Sequence, residues 1–121
     1  MKSYSIAKPH IDAADKAGVM EVLDSGVLAL GPKTETFEKN IATYTNAKYA
    51  CAVSNGTCGL HLCVKAVGWK AGDEVITSPF SFISSSNCLL FEGVKPVFVD
   101  IDPVTFNMDA DKIEAAITKK T

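Results

Sequence analysis

Residues 54–58 read Ser-Asn-Gly-Thr-Cys, directly after a short apolar run, KYACAV, and before an apolar-periodic stretch, GLHLCVKAVG. Such residues at a strand-to-helix junction can cap a helix in a plain turn. They can also leave backbone N–H groups facing an anion, because a helix start carries unpaired amides and a partial positive charge. Gly56 would let the backbone approach a ligand closely, and Thr57 adds a hydroxyl. Ser54 and Asn55 suit either purpose. The segment alone leaves both readings open. It is not a GxxxxGK[ST] loop, and the chain contains no GxGxxG, so nucleotide hydrolysis and dinucleotide binding are poorly supported.

A second cluster, TSPFSF at residues 77–82, places Phe80 and Phe82 among hydroxyl side chains. An aromatic face there could stack on a flat ring held by the anion cradle; equally, both rings could be ordinary core. Asp100 and Asp102 could hold a polar ligand group, but capping the Asp-Pro turn is the better reading. His10 and His61 read as structural. Cys51, Cys58, Cys63 and Cys88 form no CxxC pair, and with only two His residues a metal site is not expected. These thiols are expected to be buried as small apolar groups. All twelve basic residues are Lys, so an anion must be held by backbone, hydroxyls or Lys, without a guanidinium fork.

The elements that would position these groups alternate in type. DAADKAGVMEVLD (12–24) reads as a helix capped by Asp12 and closed by Gly26, with Val19, Met20 and Leu23 as its stripe. A second helix starts at Pro32, carries Phe37, Ile41 and Tyr44, and ends at Asn46. Strand candidates at 48–54, 73–78 and 95–101 then alternate with helices after residue 59, over 81–93 and over 109–120, the last capped by Asp109. In the first of these, Leu60, Cys63, Val64 and Val67 share one face and Gly68 is the stop. Apolar strands separated by helices predict parallel pairing with both faces covered and right-handed crossovers. The cradle, the aromatic cluster and the two acids would then all lie beyond the carboxyl ends of strands, where α/β sheets bind ligands.

Chain-wide properties narrow the class. The 121 residues are 47% hydrophobic and 21% charged, as in a globular domain with a real core. A net charge of −2 with scattered Lys offers no nucleic-acid footprint. No apolar run is long enough to cross a bilayer, and MKSYSIAKPH lacks a signal-peptide core, so a cytoplasmic protein without membrane association is expected. Three strands make a narrow sheet with unpaired edges, and the chain stops at a point where another strand would follow. An N-terminal helical segment (1–46) and the first part of an α/β domain (47–121), truncated at its C-terminus, are expected.

Six collinear pieces carry a resemblance. They are Gly31-Pro with Phe37-Glu38, SNGT with LHL at 54–62, GDEVI at 72–76, SPFSF at 78–82, GVKPVFVDID at 93–102 and ITKKT at 117–121. Together they closely resemble the DegT/DnrJ/StrS-type sugar aminotransferases, from about residue 20 to the end. The resemblance implies an α/β fold of three layers, with a mostly parallel sheet and helices on both faces: part of the large domain of a fold-type I, pyridoxal phosphate-dependent enzyme. It also implies that Gly56, Thr57 and Cys58 bind the cofactor phosphate, that Phe82 stacks on the pyridine ring, and that Phe80 packs. The segment SGVLALG (25–31) resembles a part that approaches a nucleotide-sugar near a subunit boundary.

The reaction implied is amino transfer from an amino-acid donor, glutamate in expectation, to a nucleotide-linked keto sugar, in a homodimer. The family's Schiff-base Lys and the acid beside the pyridine nitrogen are expected downstream of residue 121. No Lys here resembles that Lys, so no catalytic residue is assigned and this stretch alone is expected to be inactive. Two alternatives remain: a sugar dehydratase of the same family, in which His replaces that Lys, and a non-catalytic regulatory protein that binds pyridoxal phosphate or a sugar nucleotide.

Overall fold

The computed structural model describes residues 7–121, which divide into two compact units, one ending at Ala52 and one spanning Val53–Thr121. The first six residues of the expected N-terminal segment lie outside the described residues.

The first unit contains two helices. Helix α1 (Ala13–Ser25) begins in a capping box: Asp12 accepts from the amides of Ala14 and Asp15, and the Asp15 side chain accepts from the Asp12 amide at 2.9 Å. Three amides that the helix itself leaves without partners are thereby satisfied. Helix α2 (Pro32–Thr45) starts on a proline, whose missing N–H costs nothing there, and ends at Asn46 in the left-handed region with φ of 54°. Both helices match the sequence expectation in kind and ends.

The segment 48–54 differs from expectation, because no strand forms there. A strand exists only where a partner accepts its ladder, and none pairs with it among the described residues. The Ala52 amide instead donates to the Glu38 carboxylate at 2.8 Å.

In the second unit α3 (Gly56–Val67) comes first, then β1 (Glu74–Thr77), α4 (Ser84–Leu90) and β2 (Lys95–Phe98). A 3-10 turn (Ala110–Lys112) leads into a last short helix, α5 (Ile113–Ala116). Strands β1 and β2 pair in parallel, Glu74 opposite Lys95 through Thr77 opposite Phe98. Parallel neighbours joined through α4 form one βαβ unit, as the alternation predicts, but with two strands rather than three. Val64 from α3, Cys88 and Leu89 from α4, and Val94 at the mouth of β2 make the core, with Val75 packed against it. Each such side chain contributes about 1.5–3 kcal/mol by leaving water.

Gly93 lets α4 turn directly into β2. Its φ is +70°, and a Cβ there would stand 3.1 Å from the Ala71 Cβ, so both conformation and space require glycine. The expected helix over 109–120 is shorter than predicted. Residues 118–120 are drawn off by Glu74, whose amide donates to the Lys120 carbonyl at 2.9 Å and whose carboxylate accepts from the Thr118 hydroxyl at 2.6 Å.

The thiols depart from expectation too. Only Cys88 is buried; Cys51, Cys58 and Cys63 are exposed. Likewise, of the predicted stripe on α3 only Val64 is buried, with Leu60 at 41% and Val67 at 61% exposure. Within the described unit α3 meets its neighbours along a narrow line through Val64, and a periodic pattern cannot show how wide the covering layer is.

Candidate functional site

Gly56, Thr57 and Cys58 are the first turn of α3, which therefore starts three residues earlier than the apolar pattern predicts. Asn55 is the cap. Its backbone is extended, with φ −166° and ψ 168°, and its Oδ1 accepts from the Cys58 amide at 3.0 Å. Asn55 also donates to the Ser54 hydroxyl at 3.2 Å, and that hydroxyl lies 3.4 Å from the Cys58 Sγ. The cap thus takes up the Cys58 amide, one of the three expected at the cradle. The amides of Gly56 and Thr57 have no hydrogen-bond partner among the described residues. They are the donors a helix start leaves for an anion.

Gly56 carries a second sign. A Cβ built on it meets no atom within 4 Å, and its backbone is not in the left-handed region. Neither packing nor conformation demands glycine there. A side chain at this position would enter open space at the helix start. The residues present fit a phosphate group.

The aromatic cluster occupies the loop after β1. Phe80 leans on Phe106, with ring centroids 5.9 Å apart, and Phe106 belongs to the loop after β2. This agrees with a packing role for Phe80. Phe82 is 75% exposed and makes no ring contact among the described residues. The reading of both rings as ordinary core does not hold. Phe82 lies two residues before α4, and its carbonyl accepts from the Ser85 amide at 3.0 Å in the turn that starts that helix.

Helices α3 and α4 are also joined by an ion pair. Glu92, two residues past α4, accepts from His61 Nε2 at 2.6 Å and from Lys65 Nζ at 3.1 and 3.2 Å. His61 and Lys65 of α3 thus meet a residue just past the end of α4. These hydrogen bonds, His61 first and Lys65 next, hold the Glu92 carboxyl below its ordinary value. An ionised carboxylate only accepts, so Nε2 of His61 carries the proton. The His61 ring also meets the Phe91 ring edge-on at 5.2 Å.

Other candidates are accounted for structurally. Asp102 Oδ1 accepts from the amides of Thr105 at 2.7 Å and Val104 at 3.0 Å, which caps the Asp-Pro turn and lowers its pKa, Thr105 being the larger cause. Asp100 accepts from the Ile101 amide. His61 is structural as expected, whereas His10 is exposed. No cluster of potential metal ligands exists among the described residues, and no described helix is long and apolar enough to cross a membrane. The Glu92 contacts had no readable signal in the sequence, since the pairing spans 31 residues.

The α/β unit thus carries free amides at one helix start and an exposed aromatic in the loop after β1, and comparison with known proteins gives the family. The chain matches the model of the DegT/DnrJ/EryC1/StrS aminotransferase family over residues 9–121 and belongs to that family. It is 47% identical over 118 residues to the spore coat polysaccharide biosynthesis protein SpsC of Bacillus subtilis, covering 98% of this chain and 30% of SpsC. It is 42% identical over 105 residues to the UDP-2-acetamido-2-deoxy-3-oxo-D-glucuronate aminotransferase of Pseudomonas aeruginosa, covering 87% of this chain and 29% of that protein. Among solved structures it is similar to the E. coli GDP-4-keto-6-deoxy-D-mannose-3-dehydratase with bound hydrated PLP. The TM-score is 0.89 at 30% identity, over 100% of this chain and 33% of that one. The chain spans about a third of the length of each of these relatives. Solved relatives hold pyridoxal or pyridoxamine phosphate, and the fold class is that of pyridoxal phosphate-dependent aminotransferases.

Proposed function

We propose that the whole protein transfers an amino group from an amino acid, glutamate in the first instance, to the keto group of a nucleotide-linked sugar. Residues 47–121 supply the first part of its cofactor-binding domain. The observation that carries the reading is the pair of unpartnered amides at Gly56 and Thr57 beneath a glycine that nothing in the protein requires. A keto-sugar nucleotide as substrate is supported by the Pseudomonas relative, named for amino transfer on a UDP-linked 3-oxo sugar.

In this reading Gly56 and Thr57 hold the cofactor phosphate through their amides, the Thr57 hydroxyl adding a third donor. Cys58 closes the turn, its amide shared with Asn55 Oδ1. Phe82 stacks on the cofactor ring and shields that face from water. When bound, the cofactor acts as an electron sink for bonds to the amino carbon. A Lys to hold it and an acid for its ring nitrogen are proposed to lie beyond residue 121, so this stretch alone does not turn over. The complete enzyme is proposed to be a cytoplasmic homodimer.

The dehydratase is the second reading, favoured by the E. coli likeness at 30% identity, against 42% for the Pseudomonas aminotransferase. One assay separates them. Full-length protein with a nucleotide-linked keto sugar and glutamate is expected to release one 2-oxoglutarate per amino sugar formed. Loss of a sugar hydroxyl without net amino transfer would establish the dehydratase instead. Absence of visible cofactor absorbance, even after adding pyridoxal phosphate, would leave the non-catalytic reading. For the ring contact, Phe82→Ala should weaken pyridoxal phosphate binding by at least about fivefold, since aromatic stacking is worth about 1 kcal/mol beyond buried area. A titration of visible absorbance reads this directly, and an unchanged dissociation constant would remove Phe82 from the site.

A further inference from the structure

We propose that Phe106 is a positioning residue for the cofactor ring: held out by the turn after β2, it braces Phe80 and so steadies the loop that presents Phe82. The inference rests on the reading of Phe82 as the stacking residue and adds the residues that set its loop.

Three observations carry it. First, the hydrogen bonds of the Phe82 loop stay local among the described residues. The Phe80 amide donates to the Ser78 hydroxyl at 3.2 Å, the Ser81 and Ser85 hydroxyls meet at 2.8 Å, and the Phe82 carbonyl accepts from the Ser85 amide. Phe80 is 64% exposed, so burial does little to hold it. Its contact with the Phe106 ring, tilted by 33°, ties this loop to the one after β2. Phe82 lies two residues further along the same loop.

Second, the turn that carries Phe106 is densely bonded. Asp102 Oδ1 accepts from the amides of Val104 and Thr105, its carbonyl accepts from the Phe106 amide at 2.9 Å, and its amide donates to the Asn107 carbonyl at 2.9 Å. Ile101 and Met108 close the turn as an antiparallel bridge. A ring mounted on such a turn has a fixed base.

Third, Phe106 stands in the left-handed region, with φ of 59°. Glycine is at ease there, whereas a bulky side chain is an outlier. The turn gains little from the ring by burial, since Phe106 is 58% exposed. Strain of this kind points to a use elsewhere, and what the ring meets is Phe80. A brace can bias a loop only by its own free energy, which for an aromatic pair is a factor of about 2 to 12.

The experiment uses full-length protein and pyridoxal phosphate, with three readouts: the dissociation constant, the visible circular dichroism of the bound cofactor, and the melting temperature of the cofactor-free protein. Phe106→Gly removes the ring and relieves the backbone. The melting temperature should therefore hold or rise, while the dissociation constant rises about fivefold and the dichroism at saturation diminishes. Phe106→Tyr keeps the ring and should match the wild type. If Phe106→Gly misfolds, Phe80→Leu removes the other ring of the pair and should show the same cofactor defects. The double variant should bind no more weakly than Phe106→Gly alone, because both rings act through one contact. Wild-type affinity and dichroism in Phe106→Gly, additive losses in the double variant, or a loss of affinity matched by a lower melting temperature would overturn the proposal and leave the cofactor reading intact. An unchanged dissociation constant in Phe82→Ala, or failure of the wild type to bind pyridoxal phosphate, would overturn that reading and this inference with it.

Discussion

Replacing Gly56 by Val is expected to weaken pyridoxal phosphate binding at least about 100-fold while leaving the protein folded. Two effects add. The isopropyl group adds bulk at the helix start, where nothing in the protein lies within 4 Å of a Cβ, and crowds a phosphate bound there. A phosphate pushed back from those amides loses charge-assisted hydrogen bonds worth about 1.5–3 kcal/mol each. Folding has no reason to suffer, because the same open space accepts the side chain and the glycine is the first helical residue of α3 with ordinary backbone angles. The measurement is a cofactor titration paired with a melting curve. Gly56→Ala, with one methyl group, should fall between Val and wild type. If Val binds as tightly as glycine with an unchanged melt, the phosphate is not at this helix start.

The largest effect on stability is expected at Leu89. Its side chain is 2% exposed and sits between Val64, Cys88 and Val94, in a core of few residues. Leu89→Ala should cost about 3 kcal/mol, the transfer term plus the cavity left behind, because so small a core can only partly collapse. Leu89→Met, nearly equal in volume, should cost less than about 1.5 kcal/mol. Denaturant unfolding of the two variants checks the ordering, and equal, small losses would show that the α3–α4 seam is not where the unit is held. The residue also bears on the site. It lies in the helix that follows Phe82, so loosening it would also loosen the residue proposed to stack on the cofactor ring.

Much of the local structure was legible in the sequence because its causes are local. Asp12 with Asp15 at the start of α1, Pro32 at the start of α2, and Asn46 and Gly68 at helix ends each act on amides or carbonyls within a few residues. The βαβ unit was legible because apolar runs bounded by turns alternate with helical periods. The cradle was readable as a choice between two meanings. Residues 48–54 failed as a strand because strand structure is a property of a pair, and the candidate's amide at Ala52 found a carboxylate instead.

By itself, then, the chain's order of residues determined the caps, the parallel pairing of β1 with β2, and the place of SPFSF after the carboxyl end of a strand. Those follow from short-range sterics and from periodicity, which act wherever the residues are placed. Tertiary structure alone decided which Cys and which α3 residues are buried, that Asn55 claims the Cys58 amide while Gly56 and Thr57 keep theirs free, and that Glu92 meets His61 across 31 residues. Burial and long-range pairing depend on what else arrives at the same place, and no local stretch of sequence carries that information.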